Sequence, residues 1–209
     1  MTENKIAVDV VLLPDEEMTG RAIEANAELV KQSGSQIVLN REDCLPHISL
    51  AMGCIDPKDI PVIEKALDGI AEEYGSRVKK LRVTGVYIGT NSIGERVSSF
   101  VVEKIKELQL LHEKIMESMQ PYFSYDVTAD MVSADEVADS TLLWIRNYTA
   151  KSSYANFLPH ITIGYGEARP IESPIEFAAL RLALCHLGNH CTCRKVLASI
   201  EFEKPEKQL

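Results

Sequence analysis

The chain has 209 residues, 45% of them hydrophobic and 25% charged, which suits a globular fold with a sizeable core. A formal net charge of −9 argues against a protein that tracks long nucleic acid, because such binding uses a broad basic face to displace counterions from many phosphates. No apolar run approaches the roughly 18 residues needed to span a bilayer, and the opening residues lack the basic-then-apolar layout of a signal peptide, so the expected setting is cytoplasmic.

Residues 6–13 (IAVDVVLL) are β-branched and apolar, are followed by Pro14, and read as a buried strand. Asp15, Glu16 and Glu17 then open a helix to about residue 32, where early acids suit the helix dipole and Gly34 can end it. Residues 45–55 read as a strand. Residues 57–74 form an amphipathic helix, with Ile60, Ile63, Leu67 and Ile70 recurring at three- and four-residue steps. Residues 78–90 and 97–102 read as strands about an Asn91-Ser92-Ile93-Gly94 turn, and a helix follows to about Met119 with His112 on its apolar seam. Ser133 and Glu136 fit a capping box, which predicts a helix from there through Trp144. Residues 157–165 are a strand, and 175–187 with 190–202 a hairpin about Gly188-Asn189. Helices mixed with hairpin-connected strands predict an α+β fold without a linker between domains, so residues 1–209 are expected to form one domain.

One local repeat stands out. Residues 45–53 (LPHISLAMG) align with 158–166 (LPHITIGYG), five of nine positions being identical. The copies lie in opposite halves of the chain, each following a helix and a loop, which predicts two related lobes. Proline is tolerated at the start of a strand and keeps the preceding leucine extended. Alternation then puts His47 and Ser49 on one face, with Ile48 and Leu50 on the other; His160 and Thr162 oppose Ile161 and Ile163 in the same way. Two such faces meeting across a cleft would oppose two imidazoles and two hydroxyls. That set suits a phosphate diester: one imidazole takes a proton from water, the other gives one to the leaving oxygen, and the hydroxyls bind non-bridging oxygens. A His-x-[Ser/Thr] triplet alone is weak evidence, and a third one, His190-Cys191-Thr192, lacks the Leu-Pro lead. The shared nine-residue frame carries the weight.

Paired His-x-[Ser/Thr]-apolar strands in a chain of this length resemble the two-histidine (2H) phosphoesterase superfamily, whose members include 2′-5′ RNA ligase-like proteins and RNA cyclic phosphodiesterases. The resemblance implies two pseudo-symmetric lobes, each an antiparallel sheet with flanking helices, around a central groove. It implies catalysis by His47 and His160, phosphate binding by Ser49 and Thr162, and no cofactor. Expected substrates are small nucleotides or RNA 3′ ends with 2′,3′-cyclic phosphates, bound by a monomer with no membrane association. A 2′-5′ ligase, a 2′-5′ phosphodiesterase and a non-catalytic nucleotide-binding module are the alternatives. The spacing between the copies is long for the family, so residues 123–154 read as an insertion.

Other features have simpler readings. The 185–193 segment (CHLGNHCTC) resembles a zinc cluster, but a two-residue turn would send its Cys and His side chains to both faces of the hairpin. One face then offers three ligands at most where tetrahedral zinc wants four, so no metal is expected. Five cysteines, an odd number without a secretory signal, favour reduced thiols. His112 reads as a packed histidine. Tyr165 is a candidate for stacking on a base, although regular alternation would send it to Ile161's face. Lys5, Arg41, Arg96, Arg146 and Arg194 are unranked candidates for phosphate contact.

Overall fold

A computed structural model describes residues 5–34, 36–91 and 93–202; Ser92 of the predicted turn lies outside them. The chain runs β1 (Ile6–Pro14), α1 (Glu16–Ser33), β2 (Ile48–Ile55), α2 (Ile60–Val78), β3 (Lys80–Thr90), β4 (Arg96–Val102) and α3 (Lys106–Met119). Two short helices follow, α4 (Asp139–Arg146) and α5 (Tyr148–Ser152), then β5 (His160–Tyr165), β6 (Ile175–Leu187) and β7 (Cys193–Glu201). The α+β class is as the pattern predicts. Among the described residues no helix is long and apolar enough to cross a membrane.

The strands order as β1-β2-β5-β4-β3-β6-β7, with β1 also pairing β6. All pairings are antiparallel. Two lobes result: β2, β1, β6 and β7 in one, β5, β4 and β3 in the other. They join along Lys80–Val83 of β3 against Ile175–Ala178 of β6, and at a single bridge between β2 and β5, Ile48↔Ile161. Helix α1 packs on β5 and α3 on β2, so each of these two helices follows a strand of one lobe and covers the other lobe. The core between sheet and helices is built from Val8, Val10, Leu12, Leu50, Ile161 and Ile163 with Leu67, Leu108, Leu111 and Ile115, all buried.

Helix α1 ends where its residues dictate. The Asp15 side chain accepts from the Met18 amide, and Gly34 adopts φ 63°, its N–H donating to Val30. Three expectations need correction. The capping box at Ser133 does not start a helix: the Ser133 N–H donates to the Leu187 carbonyl at 2.7 Å, and α4 begins only at Asp139. The hairpin turn is longer than two residues, because Leu187 pairs with Cys193 and residues 188–192 bulge out. Asn189 is the reason, since its Oδ1 accepts from the Ala138 amide and the Thr141 hydroxyl at the start of α4. Finally, Cys185 and Cys193 form a disulfide rather than staying reduced. The altered register brings Cys193 beside Cys185 with Cα atoms 5.5 Å apart.

Candidate active site

The Ile48↔Ile161 bridge joins equivalent residues of the two motif copies, each one position past its histidine. Antiparallel geometry about that bridge sets His47 across from Thr162 and Ser49 across from His160. All four project from the face opposite Ile48 and Ile161, which are sealed in the core. The two histidines are diagonal neighbours, a relation that separates Cα atoms by about 7–8 Å. The four side chains that alternation selected are half-buried, while the isoleucines between them are not exposed at all.

Each imidazole is oriented in the same way. His47 Nδ1–H donates to the Leu45 carbonyl at 2.7 Å, and His160 Nδ1–H donates to the Leu158 carbonyl at 2.8 Å. Because a carbonyl only accepts, Nδ1 carries the hydrogen in both rings and Nε2 is left uncommitted. The Leu-Pro lead therefore orients the ring: proline fixes the extended turn into the strand, and leucine supplies the carbonyl. Burial lowers the pKa of both imidazoles below the usual value, and at His47 the Leu45 carbonyl opposes this while the charge of His160 adds to it.

A β-bulge follows each motif. Val10 pairs with Ala51 and Val11 with Ser49, so Leu50 is extra; Ser98 pairs with Gly164 and Ser99 with Thr162, so Ile163 is extra. Each extra residue lies three positions past its histidine. A buried side chain from a helix holds each freed carbonyl. His112 on α3 donates from Nδ1 to Leu50 at 2.7 Å, and Asn26 on α1 donates to Ile163 at 2.7 Å. The same side chains reach the opposite approach loop. His112 Nε2 accepts from the Tyr154 amide, ahead of the second motif, and Asn26 bonds the Ile37 carbonyl and Leu39 amide, ahead of the first. His112 also stacks on Phe157 with centroids 4.1 Å apart. It is a packed histidine, as expected, and Asn26 is its counterpart.

The second bulge also relocates Tyr165. Beyond Ile163 the alternation reverses, so Tyr165, opposite Val97, shares the face of His160 and Thr162. Its hydroxyl meets His190 Nδ1 at 2.8 Å, in the turn where His190 and Cys191 adopt φ of 59° and 56°. The five unranked cations have partners of their own: Lys5 with Ser124, Arg41 with Glu16, Arg96 with Glu167, Arg146 with the Val127 carbonyl and Arg194 with Asp43. Among the described residues no three His, Cys, Asp or Glu side chains form a group able to hold a metal ion.

Sequence reasoning passed over Asp9. It lies in the middle of β1, is fully buried, and brings Oδ2 to 3.9 Å from His47 Nε2. Met52 on β2 and Cys185 on β6 lie directly opposite it, so its flanks are a thioether and the disulfide. Neither carboxyl oxygen has a hydrogen bond of ordinary geometry to a described residue. Burial raises its pKa to about 8, which the nearby Ser49 hydroxyl and Ala51 N–H only partly oppose. The signal was present: one carboxylate inside an otherwise apolar strand.

Two halves of β-α-β, meeting on strands that each present a histidine and a hydroxyl, make up a LigT-like fold. Solved structures agree. TT0787 of Thermus thermophilus superimposes with a TM-score of 0.58 at 15% identity, over 94% of this chain and 98% of its own. E. coli LigT in its apo form superimposes with a TM-score of 0.52 at 15% identity, over 95% and 98%. No family model and no curated protein matches the sequence. At such identities the likeness is one of fold, and the chemistry rests on this chain's own residues.

Proposed function

We propose that the chain is a phosphodiesterase that opens 2′,3′-cyclic phosphates of nucleotides or RNA 3′ ends, with His47 and His160 as its acid–base pair. The observation that carries this reading is the Ile48↔Ile161 bridge, which sets two Nε2 atoms on one face of adjoining strands. Water attacks phosphorus, one imidazole takes its proton, and the other protonates the departing ribose oxygen. Ser49 and Thr162 donate hydrogen bonds to the non-bridging oxygens as charge builds there. The acid and base are both imidazoles, so the reaction needs no metal-activated water. In this reading Tyr165 stacks on the base, which its sharing a face with His160 and its hydroxyl contact with His190 support. A small substrate fits the formal charge of −9 better than two RNA strands brought together for ligation.

The test is hydrolysis of a panel of 2′,3′-cyclic nucleotides and 2′-5′-linked oligonucleotides in EDTA, with product position read by NMR. His47→Ala and His160→Ala should each lower turnover by about 10²-fold or more. Wild-type turnover in either variant would reject the mechanism. Joined RNA halves would favour the ligase, and calorimetric binding without product would favour a nucleotide sensor.

A further inference from the structure

The two halves of the groove correspond position by position along their paired strands, and at one buried position they differ in charge. Leu12 pairs with Ile48 as Phe100 pairs with Ile161, and Val11 pairs with Ser49 as Ser99 pairs with Thr162. Past the bulges, Asp9 pairs with Met52 as Val97 pairs with Tyr165. Asp9 and Val97 are therefore counterparts, and both share the groove face with the motif histidines of their own half. One half has a carboxyl group where the other has an isopropyl group.

That carboxyl sits 3.9 Å from Nε2 of His47, the nitrogen that the Leu45 carbonyl leaves uncommitted. Cut off from water and without hydrogen bonds of ordinary geometry to a described residue, this carboxylate is stable only beside a cation or as the neutral acid. Facing it are His47 ahead of β2, Ser49 on β2, Tyr148 on α5 and Cys191 in the 188–192 turn, with His160 beyond His47. Burial raises the pKa of the Tyr148 hydroxyl and the Cys191 thiol, which keeps both neutral. Of this set, His47 is the group in reach that can take the carboxyl proton and become a cation.

We infer that Asp9 and His47 share one proton as a unit, that this unit is the general acid of the groove, and that His160, backed by Val97 instead of a carboxyl, is the general base. Asp9 is a positioning residue, acting on the substrate through His47. The acid and base roles rest on the phosphodiesterase reading; the shared proton does not. In the step itself, water attacks phosphorus as its proton passes to His160 Nε2. The bond from phosphorus to one ribose oxygen breaks, and that oxygen takes the unit's one proton from His47 Nε2, which leaves Asp9 as the carboxylate and His47 neutral. The groove is left with an imidazolium at His160 and a carboxylate at Asp9, and proton exchange through solvent resets it. Before reaction the unit is neutral wherever its proton sits, so it does not repel an arriving phosphate. The pKa of the Asp9 carboxyl, raised to about 8, keeps the unit protonated at neutral pH, and the lowered pKa of His160 leaves a free imidazole to act as base.

The test combines NMR titration with pH–rate profiles. In the wild type, the Asp9 carboxyl carbon and the His47 ring nitrogens should titrate together, both responding to a step near pH 8. In Asp9→Asn that step should vanish from His47 while the His160 curve stays in place. On a 2′,3′-cyclic nucleotide, Asp9→Asn should move the alkaline limb of kcat/KM down by about one pH unit or more, and lower the rate at pH 8 by about tenfold, with the acid limb unmoved. Independent titration of Asp9 and His47 in the wild type, a measurement needing no variant, overturns the shared proton. A shared step with unmoved kinetic limbs overturns the role assignment. A shared step in a wild type inactive on every substrate overturns the phosphodiesterase reading and leaves the proton unit standing.

Discussion

Asp9 makes the folding of this chain depend on pH in a direction opposite to that of its histidines. An ordinary aspartate ionises near 3.8, whereas the folded Asp9 holds its proton to about 8, so folding takes up a proton between those values. The stability that goes with the protonated carboxyl is fully present below pH 3.8 and is lost as pH rises toward 8, at about 1.4 kcal/mol per pH unit. His47, His112 and His160 are lowered below 6.5, so their contribution is present above 6.5 and is lost as pH falls through their folded values. Urea unfolding of the wild type and Asp9→Asn should therefore give a stability difference that grows in favour of the variant from pH 5 to pH 8. Parallel curves would mean that Asp9 ionises normally. Retaining Asp9 at that cost is the pattern of a group kept for chemistry rather than for folding.

The bulges, with the helices that hold them, set the site at the next scale. A regular β2 or β5 would keep alternating, and Tyr165 would face the core. Each bulge instead frees one carbonyl, and Asn26 and His112 each tie that carbonyl to the loop entering the opposite motif. Asn26→Ala would leave the Ile37 and Ile163 carbonyls and the Leu39 amide without that partner. A cost of about 3 kcal/mol or more in urea unfolding is expected. Because the freed loop leads to Leu45, whose carbonyl holds His47, kcat should fall more than KM rises. A stability loss without a kinetic effect would show that the loop keeps its place unaided. Local signals served well where a partner lies within a few residues, as with Asp15 and Gly34 at the ends of α1. They failed at Ser133 and at the Gly188 turn, where remote partners, Leu187 and the start of α4, captured the same groups.

For the molecule as a whole, a pseudo-two-fold relation through the Ile48↔Ile161 bridge organises both lobes, and the chain that forms them carries a formal charge of −9. A substrate held by imidazoles, hydroxyls and backbone releases few counterions. Binding of a short cyclic-phosphate oligonucleotide should thus weaken with salt at a log–log slope of about −1 or shallower, measured by calorimetry from about 50 to 200 mM salt. A slope of several units would point to an extended basic track. Alternation and the repeated frame by themselves determined that His47 shares a face with Ser49 and His160 with Thr162, because strand parity and proline's fixed geometry are properties of a few adjacent residues. They also determined the two-lobed α+β class. Only the tertiary structure decided that the copies meet at one bridge, that bulges turn Tyr165 toward His160, and that Asp9 stands beside His47 with a disulfide at its flank. Those outcomes depend on strand register and on partners far apart in the chain, and no local pattern encodes either.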